Sequence, residues 1–135
     1  MKATELMVGN IVEIDGKPQR IRSVTRRKVA YCRLNSPNQG YARIHDIAPI
    51  PITEELLVRN GFKDCSEVSF ILEPITYYEI KVGDKRCLIH TTMHNGVWFF
   101  GILENGMNLA QAVITHLHQL QNLLNIMDIK LDFVV

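Results

Sequence analysis

The sequence predicts an α+β fold: an N-terminal SH3-like small β-barrel, a short helix, and then an antiparallel sheet packed by one long C-terminal helix. Three observations carry this reading. The first fifty or so residues alternate polar and apolar positions in short runs parted by turn residues. Residues 52–62 carry the full punctuation of a capped helix. Apolar residues then recur at helical spacing over about 108–127. The chain has 135 residues, 47% of them hydrophobic, which is enough for one good core or two very small ones. The expected division is 1–50 for the barrel and 51–135 for the α+β region.

Taken in order, Asn10–Ile14 leads into Asp15-Gly16, a strong two-residue hairpin signal. Gln19–Thr25 alternates, with Ile21 and Ser23 on one face and Arg20, Arg22 and Val24 on the other. Lys28–Leu34 sets Val29, Tyr31 and Arg33 opposite Ala30, Cys32 and Leu34. Asn35–Gly40 is a turn cluster and Tyr41–Ile47 a fourth strand. Short strands this dense predict a strongly bent barrel. A segment so small is marginal alone and is expected to lean on the rest of the chain. After the stiff connector Pro49-Ile50-Pro51, Thr53 is the N-cap of a helix and Glu54 and Glu55 favour its positive end. Ile52 can staple to Leu57, Gly61 supplies a left-handed C′ position, and Phe62 closes back on Leu57.

From Val68 the period returns to two. Val68–Leu72, Thr76–Val82 and Arg86–Thr91 read as strands, with turns at Gly83-Asp84 and His94-Asn95-Gly96. Val97–Leu103 is apolar on both faces, as a central strand would be. Asn105-Gly106 ends it, and the long helix is expected to begin at Asn108, with Gln111 completing a capping box. Its apolar arc holds Leu109, Val113, Leu117, Leu120, Leu124 and Met127. The remaining face, Gln111, Thr115, His118, Gln119 and Asn122, is polar without a single charge. A solvated helix usually carries Glu, Lys or Arg there, so this face is a candidate interface, covered by a second subunit or by the barrel. The alternative is a polar face simply in water. Ile129–Val134 alternates as a terminal strand.

Charge is divided by halves. Residues 1–48 hold nine Lys/Arg against four Asp/Glu, a balance of +5, and residues 49–135 hold six against ten, a balance of −4. Arg20, Arg22, Arg26, Arg27, Lys28 and Arg33, with Tyr31 and Tyr41 nearby, form the candidate nucleic-acid-binding set. Arg26-Arg27-Lys28 falls at an expected hairpin tip, where a cationic loop reaches a phosphate backbone. The bland alternative is a solvated rim that balances the acidic half.

Other chemistry is sparse. Cys87-x-x-His90-x-x-x-His94 has zinc-like spacing, but residues 87 and 90 of a strand point to opposite faces and no fourth ligand presents itself. His116 and His118 lie too far apart around a helix to share a ligand. The chain has no G-x-S-x-G, P-loop, G-x-G-x-x-G or H-E-x-x-H. No catalytic residue, metal or cofactor is therefore expected. Cys32, Cys65 and Cys87 make no C-x-x-C and read as reduced thiols. With no secretory h-region and no uninterrupted apolar span, a cytoplasmic protein without membrane contact is expected.

Three pieces carry a resemblance: Met1-Lys2-Ala3-x-Glu5-Leu6-x-x-Gly9-Asn10, Pro49-Ile50-Pro51-Ile52-Thr53-Glu54-Glu55-Leu56-Leu57 with Gly61-Phe62, and His118-Gln119-Leu120-Gln121-Asn122-Leu123. The chain resembles a group of small uncharacterised proteins from anaerobic gut-type bacteria and their prophages or other mobile elements. It departs from them at Leu124–Asp128, where members continue to a Thr-Gly-Glu-Glu turn. The resemblance implies a cytoplasmic protein and carries over no functional residue. The function expected is a non-enzymatic accessory binding protein that contacts nucleic acid or a protein complex through the basic barrel loops. Behind it stand an oligomeric assembly protein using the uncharged helix face and, third, a small enzyme without a recognisable motif.

Overall fold

The computed structural model describes residues 1–34, 36, 38–65, 76–91 and 95–135. Among them 48% lie in strand or bridge and 18% in helix, which makes the protein mostly β rather than α+β. The chain forms two compact units. The first is Met1–Pro51 with His116–Leu131, and the second is Ile52–Thr115 with Asp132–Val135.

In the first unit, β1 (Ile11–Ile14), β2 (Lys17–Val24), β3 (Lys28–Arg33), β4 (Gln39–Arg43) and β5 (Ile47–Ala48) form an antiparallel sheet ordered β4-β3-β2-β1-β5. Asp15 and Gly16 take φ of 53° and 74°, the primed turn whose twist matches the flanking strands. The expected barrel is not formed. β5 spends its two residues on β1, and no ladder joins it to β4, so the sheet keeps two edges. The alternation expected for β2 is also corrected. A bulge between Ile21 and Ser23 turns Ser23 to the side of Ala30 and returns Val24 to the side of Val29. One face of the sheet then buries Val12, Ile14, Ile21 and Val29 with Leu6, Ile44 and Ile47.

In the second unit, α1 (Glu54–Arg59) forms as its punctuation requires. Thr53 Oγ1 accepts from Leu56 N at 3.2 Å, and Gly61 at φ 89° lets Phe62 N donate to Leu57 O. β6 (Lys63–Asp64), β7 (Thr76–Val82), β8 (Lys85–Thr91), β9 (Trp98–Glu104) and β10 (Met107–Ile114) make a second antiparallel sheet in the order β10-β9-β8-β7-β6. The strand expected at Val68–Leu72 lies outside the described residues. Register places Tyr78, Ile89 and Phe100 side by side on the buried face. Val97–Leu103 supplies an interior strand, β9, although β8 holds the middle place.

The long helix over about 108–127 is overturned. Asn105 and Gly106 have φ of 52° and 77°, so they close a hairpin rather than cap a helix, and β10 pairs back along β9. The sequence Asn-Gly between two apolar runs is itself a hairpin signal, and together with the pairing on β9 it outweighs the helical spacing of Leu109, Val113 and Leu117. The helix that does form is short: α2, Leu117–Ile126. Its capping box is one set of residues later than expected, with His116 N donating to Gln119 Oε1 at 3.0 Å. The expected terminal strand is absent as well. Ile129 and Phe133 are buried anchors of an irregular segment, and the Asn60 side chain bonds both N and O of Val134.

α2 packs on β1 in the first unit. Val12 faces the core described above, whereas Ile11 points the opposite way and is still fully buried. Gln121 Oε1 accepts from Ile11 N at 2.9 Å, and Gln121 Nε2 reaches Gly9 O. Asn122 bridges Asn10 Nδ2 and Glu5 O. The expected support of the N-terminal strands by the rest of the chain thus comes from α2. Leu117, Leu120 and Leu124 are buried on the same helix. Leu120→Ala should cost about 2–5 kcal/mol in chemical denaturation, because it truncates a fully buried side chain.

His118, on the same helix, is 3% exposed and its Nδ1 has no hydrogen-bond partner. Its ring stacks on His116 at 6.0 Å between centroids. Burial above all, and then His116, hold its pKa below the ordinary histidine value. Glu5 opposes this and the N-terminal amine adds to it. The unfolded chain therefore takes up the proton first. Stability is intact above a pH of about 6.5 and is lost as pH falls from there through the folded value. The thermal midpoint should drop between about pH 7.5 and 5.5, and His118→Gln should flatten that decline. His90, also lowered by burial, accounts for part of what remains.

Candidate nucleic-acid interface

The basic set lies on three adjacent strands of the first sheet, and register divides it. At one end, β2 and β3 are joined by the two-residue tip Arg26-Arg27, both exposed. Thr25 closes the tip: its N–H donates to Lys28 O at 2.9 Å, and its hydroxyl accepts from Lys28 N at 3.2 Å. Arg27 O accepts from Ile44 N, which ties the tip to the end of β4. The Arg26 and Arg27 side chains are left in solvent on a rigid support. Arg22, the residue displaced by the bulge, is exposed on the same hairpin.

Lys28 stands directly opposite Arg43 in the β3–β4 ladder. Like charges at facing positions destabilise a sheet. Arg43 is partly compensated by Asp46, Nε to Oδ2 at 3.1 Å, with both side chains substantially exposed, and His45 Nε2 lies 3.5 Å from the other oxygen of Asp46. Lys28 instead sets its ammonium 5.4 Å from the centre of the Tyr41 ring. Tyr41 is 67% exposed, and its ring lies beside Lys28 and on the same face of β4 as Arg43. Arg43 and His45 belong to this cluster and were not among the candidates read from sequence. The β3–β4 register that brings Arg43 to Lys28 depends on the number of residues between Arg33 and Gln39, which no motif fixes.

The other candidates lie elsewhere. Along β3, Arg33 is about 17 Å and Tyr31 about 10 Å from Lys28 at the rise of a strand. Arg33 pairs with Gln19, and together with Lys17 and Tyr31 they border an open depression of 360 Å³. Tyr31 turns to the core side and lies across Gly40, where a β-carbon would come within 2.6 Å of its ring. Arg20 is half-buried, and its Nη1 donates to Gly9 O at 3.3 Å, so it serves the fold.

The five residues expected to share one uncharged helix face do not share it. Gln111 is exposed on β10 and Thr115 follows that strand, its carbonyl accepting from Ile52 N. Of the three on α2, His118 is buried, Gln119 caps the helix, and Asn122 is spent on Asn10 and Glu5. In the zinc-like motif Cys87 is buried, its thiol pushed up to about 11 by burial, while His90 points to the opposite face and stacks on Phe99. His94 lies outside the described residues, and among those described no group of three or more His, Cys, Asp and Glu could hold a metal. No described helix is long and apolar enough to cross a membrane. No family model, curated protein or solved structure matches the chain.

The Tyr31–Gly40 contact gives a direct check on this register. Gly40→Ala should lower stability by about 1–3 kcal/mol through overpacking. In a Tyr31→Ala background the same change should cost little, and the coupling is read from a double-mutant cycle of denaturation curves.

Proposed function

We propose that the protein is a non-enzymatic binding module that engages nucleic acid through the tip of the β2–β3 hairpin and the adjoining β4. The contact set is Arg22, Arg26, Arg27, Lys28, Arg43 and Tyr41. The observation that carries the reading is the Lys28–Arg43 pair. A sheet that sets two cations face to face gives up stability at that position, and a polyanion spanning both would relieve it. Arg26 and Arg27 extend the same positive edge, and the exposed Tyr41 ring offers a base a stacking surface, which favours a single strand over a duplex. Tyr31, Arg33 and Arg20 have no part in this contact.

The test is binding to single- and double-stranded oligonucleotides across a salt series. Changing Arg26, Arg27 and Lys28 together to Ser should leave the thermal transition in place and weaken binding. It should also flatten the dependence of log K on log salt by about two for a single strand, since each lost phosphate contact releases less than one counterion. Tyr41→Ala should weaken single-strand binding by about 1–3 kcal/mol without changing that slope. A wild-type protein that binds neither form at low salt, or a triple variant with an unchanged slope, would reject the reading.

A further inference from the structure

Sheet edges are where one chain can add to another, and proteins blunt them with charge, proline or brevity. Among the described residues, three of the four sheet edges are blunted. β5 and β6 have two residues each, and both of those in β6 are charged, Lys63 and Asp64. β4 ends in Arg43. β10 is different: Met107–Ile114 is eight residues long with no charge and no proline. Its only irregularity is a bulge between Asn108 and Ala110, which leaves Ala110–Ile114 in regular register. Of its side chains, Met107 is 69% exposed and Val113 60%, while Ile114 is buried. Beside it on the outer face runs an open apolar groove of 470 Å³, bordered by Leu88, His90, Phe99, Leu103, Gln111 and Val113.

We propose that β10 is a dimerisation edge, on which the β10 of a second copy pairs antiparallel about a twofold axis to give one ten-stranded sheet. The occupant follows from the chemistry of the strand. In a twofold pairing each residue meets its own strand reversed, so a charged residue on the axis meets its like. β10 has none in any register. Its one outward polar side chain within the regular segment is Gln111, and an amide is its own complement, with a donor and an acceptor on the same group. With Gln111 opposite Gln111, Ala110 meets Ala112 on the other face, small against small, and Val113 lies toward Leu109. The groove borders continue across the axis, so the apolar outer face of each copy adjoins the other. This inference is independent of the nucleic-acid reading, which concerns the first unit.

Sedimentation velocity of the full chain from nanomolar to high micromolar concentration tests it. The wild type should pass from monomer to dimer, and amide exchange at Ala110–Ile114 should slow as the dimer fills. Gln111→Lys and Gln111→Glu, each at an exposed position, should keep the thermal transition and raise the dimer dissociation constant at least tenfold. An equimolar mixture of the two should recover dimers, because the opposed charges now attract, which a folding defect in either variant would not produce. A wild type that stays monomeric throughout, a dimer insensitive to Gln111→Lys, exchange at Ala110–Ile114 that ignores concentration, or a mixture that fails to pair would each overturn the proposal.

Discussion

The first unit depends on four amide contacts between α2 and the start of the chain. Gln121 accepts from Ile11 N and donates to Gly9 O, and Asn122 joins Asn10 to Glu5 O. A buried backbone N–H such as that of Ile11 must find a partner, and β5, which pairs only with Glu13 and Ile14 of β1, does not reach it. The helix supplies it with a side chain instead. That is why the polar positions of α2 are amides rather than Lys or Glu: the groups are satisfied by backbone within a covered interface, where a charge would have to be desolvated.

The same logic separates structural from available polarity elsewhere in the unit. Arg20 is held against a carbonyl, and Gln19 is buried with its Oε1 unpartnered. Neither can be offered to a ligand without disturbing the sheet. At the opposite end of β3 the cations are arranged on a frame that is complete without them. Thr25 closes the turn with its own hydroxyl, and Ile44 fixes the tip from β4. Arg26 and Arg27 are exposed there and the turn closes without their side chains.

Much of the local structure was legible in the sequence because it is governed by residues next to one another. Asp15-Gly16, the Thr53–Gly61 helix and the strands from Lys28 and Thr76 rest on turn chemistry, caps and period. What failed was decided at long range. Met107–Ile114 has spacing compatible with a helix, and only pairing with β9 makes it a strand. Barrel closure depends on a ladder between β4 and β5 that two residues could not supply. Of the candidate site, Arg26, Arg27, Lys28 and Tyr41 were visible as a basic hairpin with a nearby aromatic. Arg43 was not, since its place opposite Lys28 depends on the length of a turn.

The bond from Ile11 to Gln121 spans 110 residues of sequence. During translation, β1 to β5 leave the ribosome long before α2 exists, and the side of β1 that carries Ile11 has nothing to cover it. Contacts this distant along the chain also slow folding, because the intervening loop must be closed before they form. Until α2 is made, the nascent first sheet therefore has an apolar strip and an unpaired backbone donor open to water, the kind of surface that chaperones cover. The N-terminal sheet is thus completed only once α2, more than a hundred residues downstream, has been made.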